Sequence, residues 1–353
     1  MTQDVRQIDL PRTILIGRDL TGRVPGVLNE LNLEGAATIL ADETTWQLAG
    51  HAVQRALEDD GIETTRYTVG EASLAEVERV KAVAAETTSR ILIGVGGGTV
   101  IDVTKLSAFQ DNKAFISVPT VASHDGIASG RASIVEKDAR HSIAVRSPIA
   151  VIADLDIIEK APHRFIAAGS GDILSKKTAI KDWELAHRLK GEPISQHASA
   201  LAAISAEHII AQRDAIGLNA PGATETVIKA LMTSSMAMCI ANSSRPASGA
   251  EHLFSHALDR IAGYPALHGE QVGVGTMIMA YLHGLDWQEI RDTLAAVGAP
   301  TTAKQLNVST KQIVEALKMA HTMRPERYTI LGADGITEEA AQQAVRVTGV
   351  GED

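Results

Sequence analysis

The sequence predicts an α/β nucleotide-binding half followed by an all-helical half. Three observations carry that reading. Short apolar runs alternate with helical stretches up to about residue 155, strand patterns nearly vanish beyond it, and three consecutive glycines sit between a buried strand and a helix. Strands separated by helices of about 10–16 residues require a parallel sheet with crossover connections. The first half is therefore expected to be an α/β parallel-sheet domain and the second an all-α domain.

The elements of the first half follow in order. Residues 13–17 (TILIG) and 37–41 (ATILA) read as short buried strands, and residues 44–59 as a helix with Leu48, Val53 and Leu57 on one side. Residues 64–69 are strand-like and 73–88 helical. The run 90–95 (RILIGV) is another buried strand, 99–109 a helix and 114–119 (AFISVP) extended. Between residues 132 and 154 three strand-like runs (ASIV, SIAV, AVIAD) suggest a hairpin beside the sheet. From there the helical period takes over. The expected helices are 171–189, 196–216, 224–241, 249–262, 270–283, 287–297, 310–323 and 337–347. The boundary is placed near 155–165, dividing the chain into 1–158 and 159–353.

Composition removes several function classes. The chain has 353 residues, 45% hydrophobic and 22% charged, which excludes global disorder. A net charge of −10 argues against a generic nucleic-acid binder, and 3% aromatic content against base-stacking platforms. A local pocket field can still oppose the net charge, so anionic small molecules stay open. No apolar run approaches the roughly 18 residues of a membrane span. The N-terminal stretch MTQDVRQIDLPRT lacks the pattern of a secretory leader. The single cysteine, Cys239, excludes an internal disulfide and suits a reducing, cytoplasmic compartment. Cys239 reads as a core residue, Trp183 and Trp287 as helix-packing residues, and Lys105 as facing solvent or capping its helix.

The glycine run Gly96-Gly97-Gly98, continuing through Thr99, Val100, Ile101 and Asp102, ends a strand and opens a helix. Glycines permit close backbone approach, and the first amides of the helix favour an anion such as a diphosphate. The bland alternative is a tight turn without a ligand. The usual third glycine of the dinucleotide fingerprint falls on Thr99, and the loop follows a middle strand, so nucleotide and dinucleotide are not separated by the motif. Asp42, at the end of an early strand, suits either a ribose hydroxyl or a helix N-cap. A second loop, from Pro119 through Thr120, Val121, Ala122, Ser123, His124 and Asp125 to Ser129, is rich in small and hydroxyl side chains. Loops at the carboxyl ends of adjacent parallel strands share one crevice, so the two are expected to meet there. His124 and Asp125 are candidates for touching a substrate.

The helical half contains Asp172, the pair His252 and His256 four residues apart, and His268 beside a helix start. One carboxylate with two imidazoles is a common donor set for a catalytic divalent metal. With 12 histidines in the chain, such a pair also arises by chance, and spacing does not decide which histidines bind.

The motifs GVGGGTVIDVTK, PTVASHDGIAS, SGDILSK, SSRPASGAEHLFSHALD and LHGEQVGVGT occur in that order. On these the chain resembles the iron-containing alcohol dehydrogenase and dehydroquinate synthase-like superfamily, and within it the glycerol-1-phosphate dehydrogenase family. SHDGIAS and SRPASGAEH are the most discriminating, and the resemblance covers nearly the whole chain. One departure is Gly130-Arg131, where a proline is expected, and it bears on local loop shape.

The resemblance implies a dehydroquinate synthase-like fold, with a Rossmann-like N-terminal domain, a helical C-terminal domain and the active site in the cleft between them. It implies that Gly98 through Asp102 hold the diphosphate of NAD(P)H, with Thr120, Val121, Ala122, Ser123 and Ser129 also on the cofactor. It implies one zinc per subunit on Asp172, His252 and His268, and substrate contact from Asp125, His256 and Asp172. The activity implied is reversible reduction of dihydroxyacetone phosphate to sn-glycerol 1-phosphate, the backbone of archaeal lipids, by a homo-oligomer. The proton donor is His256 or a water at the metal. Arg245 or His256 is a candidate for the substrate phosphate. The competing readings are a dehydrogenase of unphosphorylated glycerol or another polyol, a lyase using NAD transiently, and a nucleotide-binding protein without catalysis.

Overall fold

The computed structural model describes residues 8–136 and 139–351. The N-terminal stretch examined for a leader lies largely outside them. The first half contains strands β1 (Thr13–Gly17), β2 (Ala37–Ala41), β3 (Thr64–Thr68), β4 (Ile91–Gly96), β5 (Ala114–Pro119), β6 (Arg131–Glu136), β7 (Ala139–Ala144) and β8 (Ala150–Asp154). Its helices are α1 (Val24–Glu30), α2 (Glu43–Thr45), α3 (His51–Asp59), α4 (Leu74–Glu86) and α5 (Gly98–Gln110). Then come α6 (Leu155–Ile158), α7 (His163–Leu174), α8 (Lys176–Lys190), α9 (Gln196–Gly217), α10 (Ala223–Ala241), α11 (Ala250–Ala262), α12 (His268–Leu282), α13 (Trp287–Val297), α14 (Thr310–Met319) and α15 (Glu338–Thr348).

Six strands form one parallel sheet in the order β1-β8-β5-β4-β2-β3, and β6 and β7 make a separate antiparallel hairpin. The order reverses between β2 and β4, so the crevice at their carboxyl ends is flanked by Asp42 and the glycine run. AVIAD is not part of the hairpin. It is β8, an interior strand between β1 and β5. Its five residues are all buried, which suits a sheet covered on both faces.

Alternation along the strands sorts side chains onto the two faces. Ile39, Ile93, Ile116 and Ile152 point to one side, against Val27 and Leu28 of α1 and Val53 and Leu57 of α3. Leu40, Leu92 and Phe115 point to the other, against Val77 and Val80 of α4 and Val103 and Leu106 of α5. On β8 the alternate residues Val151 and Ala153 join the core of the helical half, which includes Leu174, Leu231, Phe254 and Ile278. One strand is thus packed into both halves, and this fixes the cleft between them.

Three local expectations need correction. Leu48 is half exposed, because residues Trp46–Gly50 form a π turn that shifts the helix phase and turns Trp46 inward instead. The helix expected at 171–189 begins at His163 and is broken at Ser175 into α7 and α8. Helix α1, with Val24, Pro25, Val27 and Leu28 buried, was too short to register as a pattern. Lys105 does not face solvent. It is buried, with Nζ donating to Gly126 O (2.6 Å), Arg131 O (2.5 Å) and Asp102 Oδ1 (3.2 Å).

Helices α7 and α12 cross with almost no side chain between them. A Cβ on Gly269 would lie 2.0 Å from Ala168 O, and one on Gly171 would fall against Gly269 O. Gly269→Ala should therefore lower the thermal midpoint by the equivalent of about 1–3 kcal/mol or more, as overpacking does. Gly26 in α1 has nothing within 4 Å of its Cβ position, so Gly26→Ala should raise stability by roughly 0.5–1 kcal/mol. Calorimetric or denaturant melts of the two variants check both signs.

Candidate active site

The two loops line one cleft of about 350 Å³. Gly97 caps α5 in an extended conformation, and Gly98 and Thr99 start the helix, so their amides face the cleft. Gly96, Val100 and Ile101 lie behind. A Cβ on Gly96 would meet Val100 at 2.7 Å, and Val100 and Ile101 are core residues. Asp102 lines the cleft, yet its Oδ2 accepts from Ser133 N at 3.1 Å and its Oδ1 from Lys105. The pair Asp102–Lys105 thereby ties the glycine-run helix to the second loop and to β6.

In the second loop, Val121, Ser123, His124, Asp125 and Ser129 reach the cleft, whereas Thr120 and Ala122 are buried beneath it. Thr120 N donates to Gly96 O at 3.1 Å, stapling the two loops together. His124 Nδ1 accepts from Gly126 N at 2.9 Å, and Nε2 sits 2.3 Å from the Cβ position of Gly98. Any side chain at residue 98 would displace that imidazole. At Gly130 a Cβ would lie 2.9 Å from Val145 O, so the loop shape here depends on glycine. Asp42 takes the capping role: Oδ1 accepts from Thr45 N at 2.8 Å, and Thr45 Oγ1 accepts from Asp42 N at 3.1 Å.

Across the cleft, α7 supplies Asp172, α11 supplies His252 and His256, and the first residue of α12 is His268. One donor atom from each of Asp172, His252 and His268 lies within 4.8 Å of the others. His252 Nε2 is 3.5 Å from Asp172 Oδ1, while its Nδ1 is held by Glu251 Oε1 at 2.9 Å. His268 Nδ1 is 3.2 Å from Ser255 Oγ. Each imidazole is thus oriented through Nδ1 by a neighbour, which leaves Nε2 for a metal. His256 is stacked on His268, with centroids 6.1 Å apart, and lines the cleft.

The charges of the site are tuned by burial and proximity. Burial, then the adjacent His252, push His268 well below the usual imidazole range, so it is a neutral donor. Burial opposes protonation of His252, but its bonds to Asp172 and Glu251 outweigh that and raise it. Burial would lift the Asp172 carboxyl, yet Lys176 and His252 hold it far below the usual range. Lys176 itself is fully buried. Its Nζ lies 3.0 Å from Asp125 Oδ2 and donates to Asp172 O (2.8 Å) and Asp172 Oδ1 (3.3 Å). Burial works against its charge, and the two aspartates more than restore it. Asp125 is fixed further by Ser234 Oγ on Oδ2 (2.7 Å), by Ser235 Oγ on its carbonyl (2.6 Å), and by its own N–H to Asp172 Oδ2 (2.9 Å).

Sequence reasoning missed Glu251, Lys176, Ser234 and Ser235. The spacing Asp172–Lys176 was a readable signal, an acid and a base one helical turn apart. Arg245 does not reach the cleft. Its guanidinium is bound to Glu192 and to Tyr328 O, which leaves it committed elsewhere. Cys239 is partly buried and does not line the cleft, and burial raises its thiol.

A family pattern described as iron-containing alcohol dehydrogenase matches residues 15–162. A Thermococcus sibiricus protein named glycerol-1-phosphate dehydrogenase [NAD(P)+] is 51% identical over 99% of this chain and 100% of its own. A Pyrococcus abyssi protein of the same name is 50% identical over 97% and 99%, and one from Methanosarcina mazei 49% over 97% and 96%. Among solved structures, glycerol dehydrogenase from Schizosaccharomyces pombe superposes with a TM-score of 0.81 at 23% identity, covering 98% of this chain and 90% of that one. Sulfoacetaldehyde reductase from Bifidobacterium kashiwanohense gives 0.72 at 18%, covering 99% of each. At such identities the two structures speak for the fold, whereas half-identity along the full length speaks for kinship, and the chain belongs to the glycerol-1-phosphate dehydrogenase family.

Proposed function

We propose that the chain catalyses the reversible NADH- or NADPH-linked reduction of dihydroxyacetone phosphate to sn-glycerol 1-phosphate, which supplies the glycerophosphate backbone of archaeal membrane lipids. The observation that carries this reading is the Asp172–His252–His268 triad, set across one cleft from a glycine-run helix start. The full-length kinship with proteins of that name supports it. We take residues 1–158 as the cofactor-binding domain and 159–353 as the metal- and substrate-binding domain. We take the enzyme to act in the cytoplasm as a homo-oligomer. No helix among the described residues is long and apolar enough to cross a membrane.

The residues have separable roles. Asp172, His252 and His268 hold the metal, zinc in this reading, and Glu251 and Ser255 orient the two imidazoles. Gly97, Gly98 and Thr99 offer amides to the diphosphate of the cofactor, and Val121, Ser123 and Ser129 line its path. When bound, zinc polarises the ketone oxygen and the reduced nicotinamide supplies the hydride. Lys176 sits between Asp125 and Asp172 and offsets the repulsion of two carboxylates brought together, holding Asp172 ionised. Asp125, anchored by Ser234 and Lys176, faces the substrate hydroxyl. His256 supplies the proton that the new alcohol needs.

Four outcomes check this. The zinc-loaded protein should oxidise NADH with dihydroxyacetone phosphate, and a chelator should abolish turnover. Preference for free dihydroxyacetone would move the assignment to a glycerol dehydrogenase. Asp172→Asn and His268→Ala should lose metal and activity together, measured as zinc per subunit beside kcat, and full activity without metal sinks the scheme. Glu251→Gln should weaken metal affinity by about 10–100-fold. His256→Asn should retain zinc while kcat falls roughly 10²–10⁴-fold.

A further inference from the structure

The cleft continues past His256 into a second cavity of about 640 Å³. Arg131, His256 and Arg324 line both spaces. Arg131 opens β6 on the sheet side, and Arg324 follows the short 3-10 turn Ala320–Met323 on the helical side. Two arginines therefore line the same two spaces from opposite walls, next to the histidine cluster. Arg327 lies beside them in the second cavity, with its own donors spent on Ser248 O (2.6 Å) and Ser244 Oγ (2.8 Å).

The charge here is unbalanced. Among the described residues, no ion pair joins Arg131, Arg324 or Arg327 to a carboxylate. The acids nearby are engaged or peripheral. Glu192 is bound to Arg245, Asp259 accepts from Gln271 Nε2 at 2.8 Å, and Glu326 is exposed. Burial, then Arg324, Arg245 and Arg131 in turn, lower Arg327 to about 9. Burial and the charge of Arg324 likewise lower Arg131. Like charges gathered at the edge of a reaction cleft are costly unless an anion joins them, and a phosphate dianion fits a pair of guanidinium forks.

Resting on the reading of the site given above, we infer that Arg324 and Arg131 form a two-walled clamp for the phosphate group of the substrate and so set selectivity for a phosphorylated over a free ketone. Arg327 acts as a positioning residue, holding positive charge behind the clamp. The clamp is separate from the glycine-run amides, which serve the diphosphate of the cofactor from the other end of the cleft. Arg131 follows the second loop directly, and Arg324 lies in none of the motifs that carry the resemblance.

The test compares wild type, Arg324→Met and Arg324→Lys, all zinc-loaded, with dihydroxyacetone phosphate and dihydroxyacetone. The ratio of kcat/KM for the phosphate ester over the free ketone should fall roughly 10–100-fold in Arg324→Met, the scale of one lost charge-assisted bond. Arg324→Lys should recover part of it. An unchanged ratio overturns the clamp. A rise in KM for NADH in place of that for the ester overturns it too, by reassigning the arginine to the cofactor. Inorganic phosphate titrated calorimetrically into zinc-loaded wild type and Arg324→Met reads the anion site without any reaction. Phosphate bound by wild type and lost in the variant supports the clamp even if neither ketone turns over, an outcome that would remove the proposed activity instead. Equal phosphate binding by both proteins refutes the clamp.

Discussion

The close crossing of α7 and α12 is the constraint on which the rest of the site depends. Asp172 is on one helix and His268 opens the other, so the distance between these donors is set by how near the two backbones come. Gly171, Gly269 and Gly273 let the two backbones meet, with the carbonyls of Ala168 and Gly269 filling the space, and Gly169 on the same helix leaves room for the Ala122 carbonyl of the second loop. Arg164 clamps the same crossing from the edge through Glu270, at 2.5 and 2.6 Å. Glu270 also accepts from Leu267 N at 2.9 Å, capping the helix that begins with His268. Helix packing, capping and ligand placement are here one arrangement, and because Ala122 O is part of it, the second loop is held in the same register.

A buried cation completes what the crossing begins. Bringing helices together around Asp172 and Asp125 removes two carboxylates from water, an unfavourable step unless they are paired. Lys176 meets both, and since it lies one turn from Asp172 on the continuing helix path, its position follows from the break at Ser175. Lys105 does the same for the sheet half, joining Asp102 to carbonyls of the second loop and β6. Each half thus carries one lysine fully withdrawn from solvent, and both end on the loop that runs from Thr120 to Arg131.

Much of this was legible in the chain, and the pattern of success has physical causes. Strands β2, β4 and β5 are continuous apolar runs because both faces of the sheet are covered, so period and burial agree. The helices of the second half carry a clear helical period. The phase of the helix after Asp42 was not legible, because a π turn changes the period at the residues that would reveal it. The break at Ser175 hid for a similar reason: helical preference continues across it. Among the histidines, spacing alone could not separate His252 from His256. Only the fold shows that Glu251 fixes His252 through Nδ1 while His256 stacks beside His268 and lines the cleft. Arg245 was a candidate for an anion only as a cation in the helical half, yet its charge is met by Glu192, whereas Arg324 lies in no motif at all.

The contrast between those two arginines shows why net charge says little about ligands. The chain carries an excess of ten negative charges, yet the cations around the cleft include the buried Lys105 and Lys176 and the half-buried Arg131 and Arg327. Lys105 and Lys176 are matched by carboxylates inside the protein, so they add cohesion and little field. Among the described residues Arg131 and Arg324 have no such match, and Arg327 uses donors on neutral oxygens. A matched charge stabilises the scaffold, and an unmatched one keeps its field for whatever enters. By that criterion, the positive potential of the cleft is concentrated where the walls of the two halves face each other. The carboxylates around the cleft, Asp102, Asp125 and Asp172, are each bound to Lys105 or Lys176, so their charge is already met within the protein.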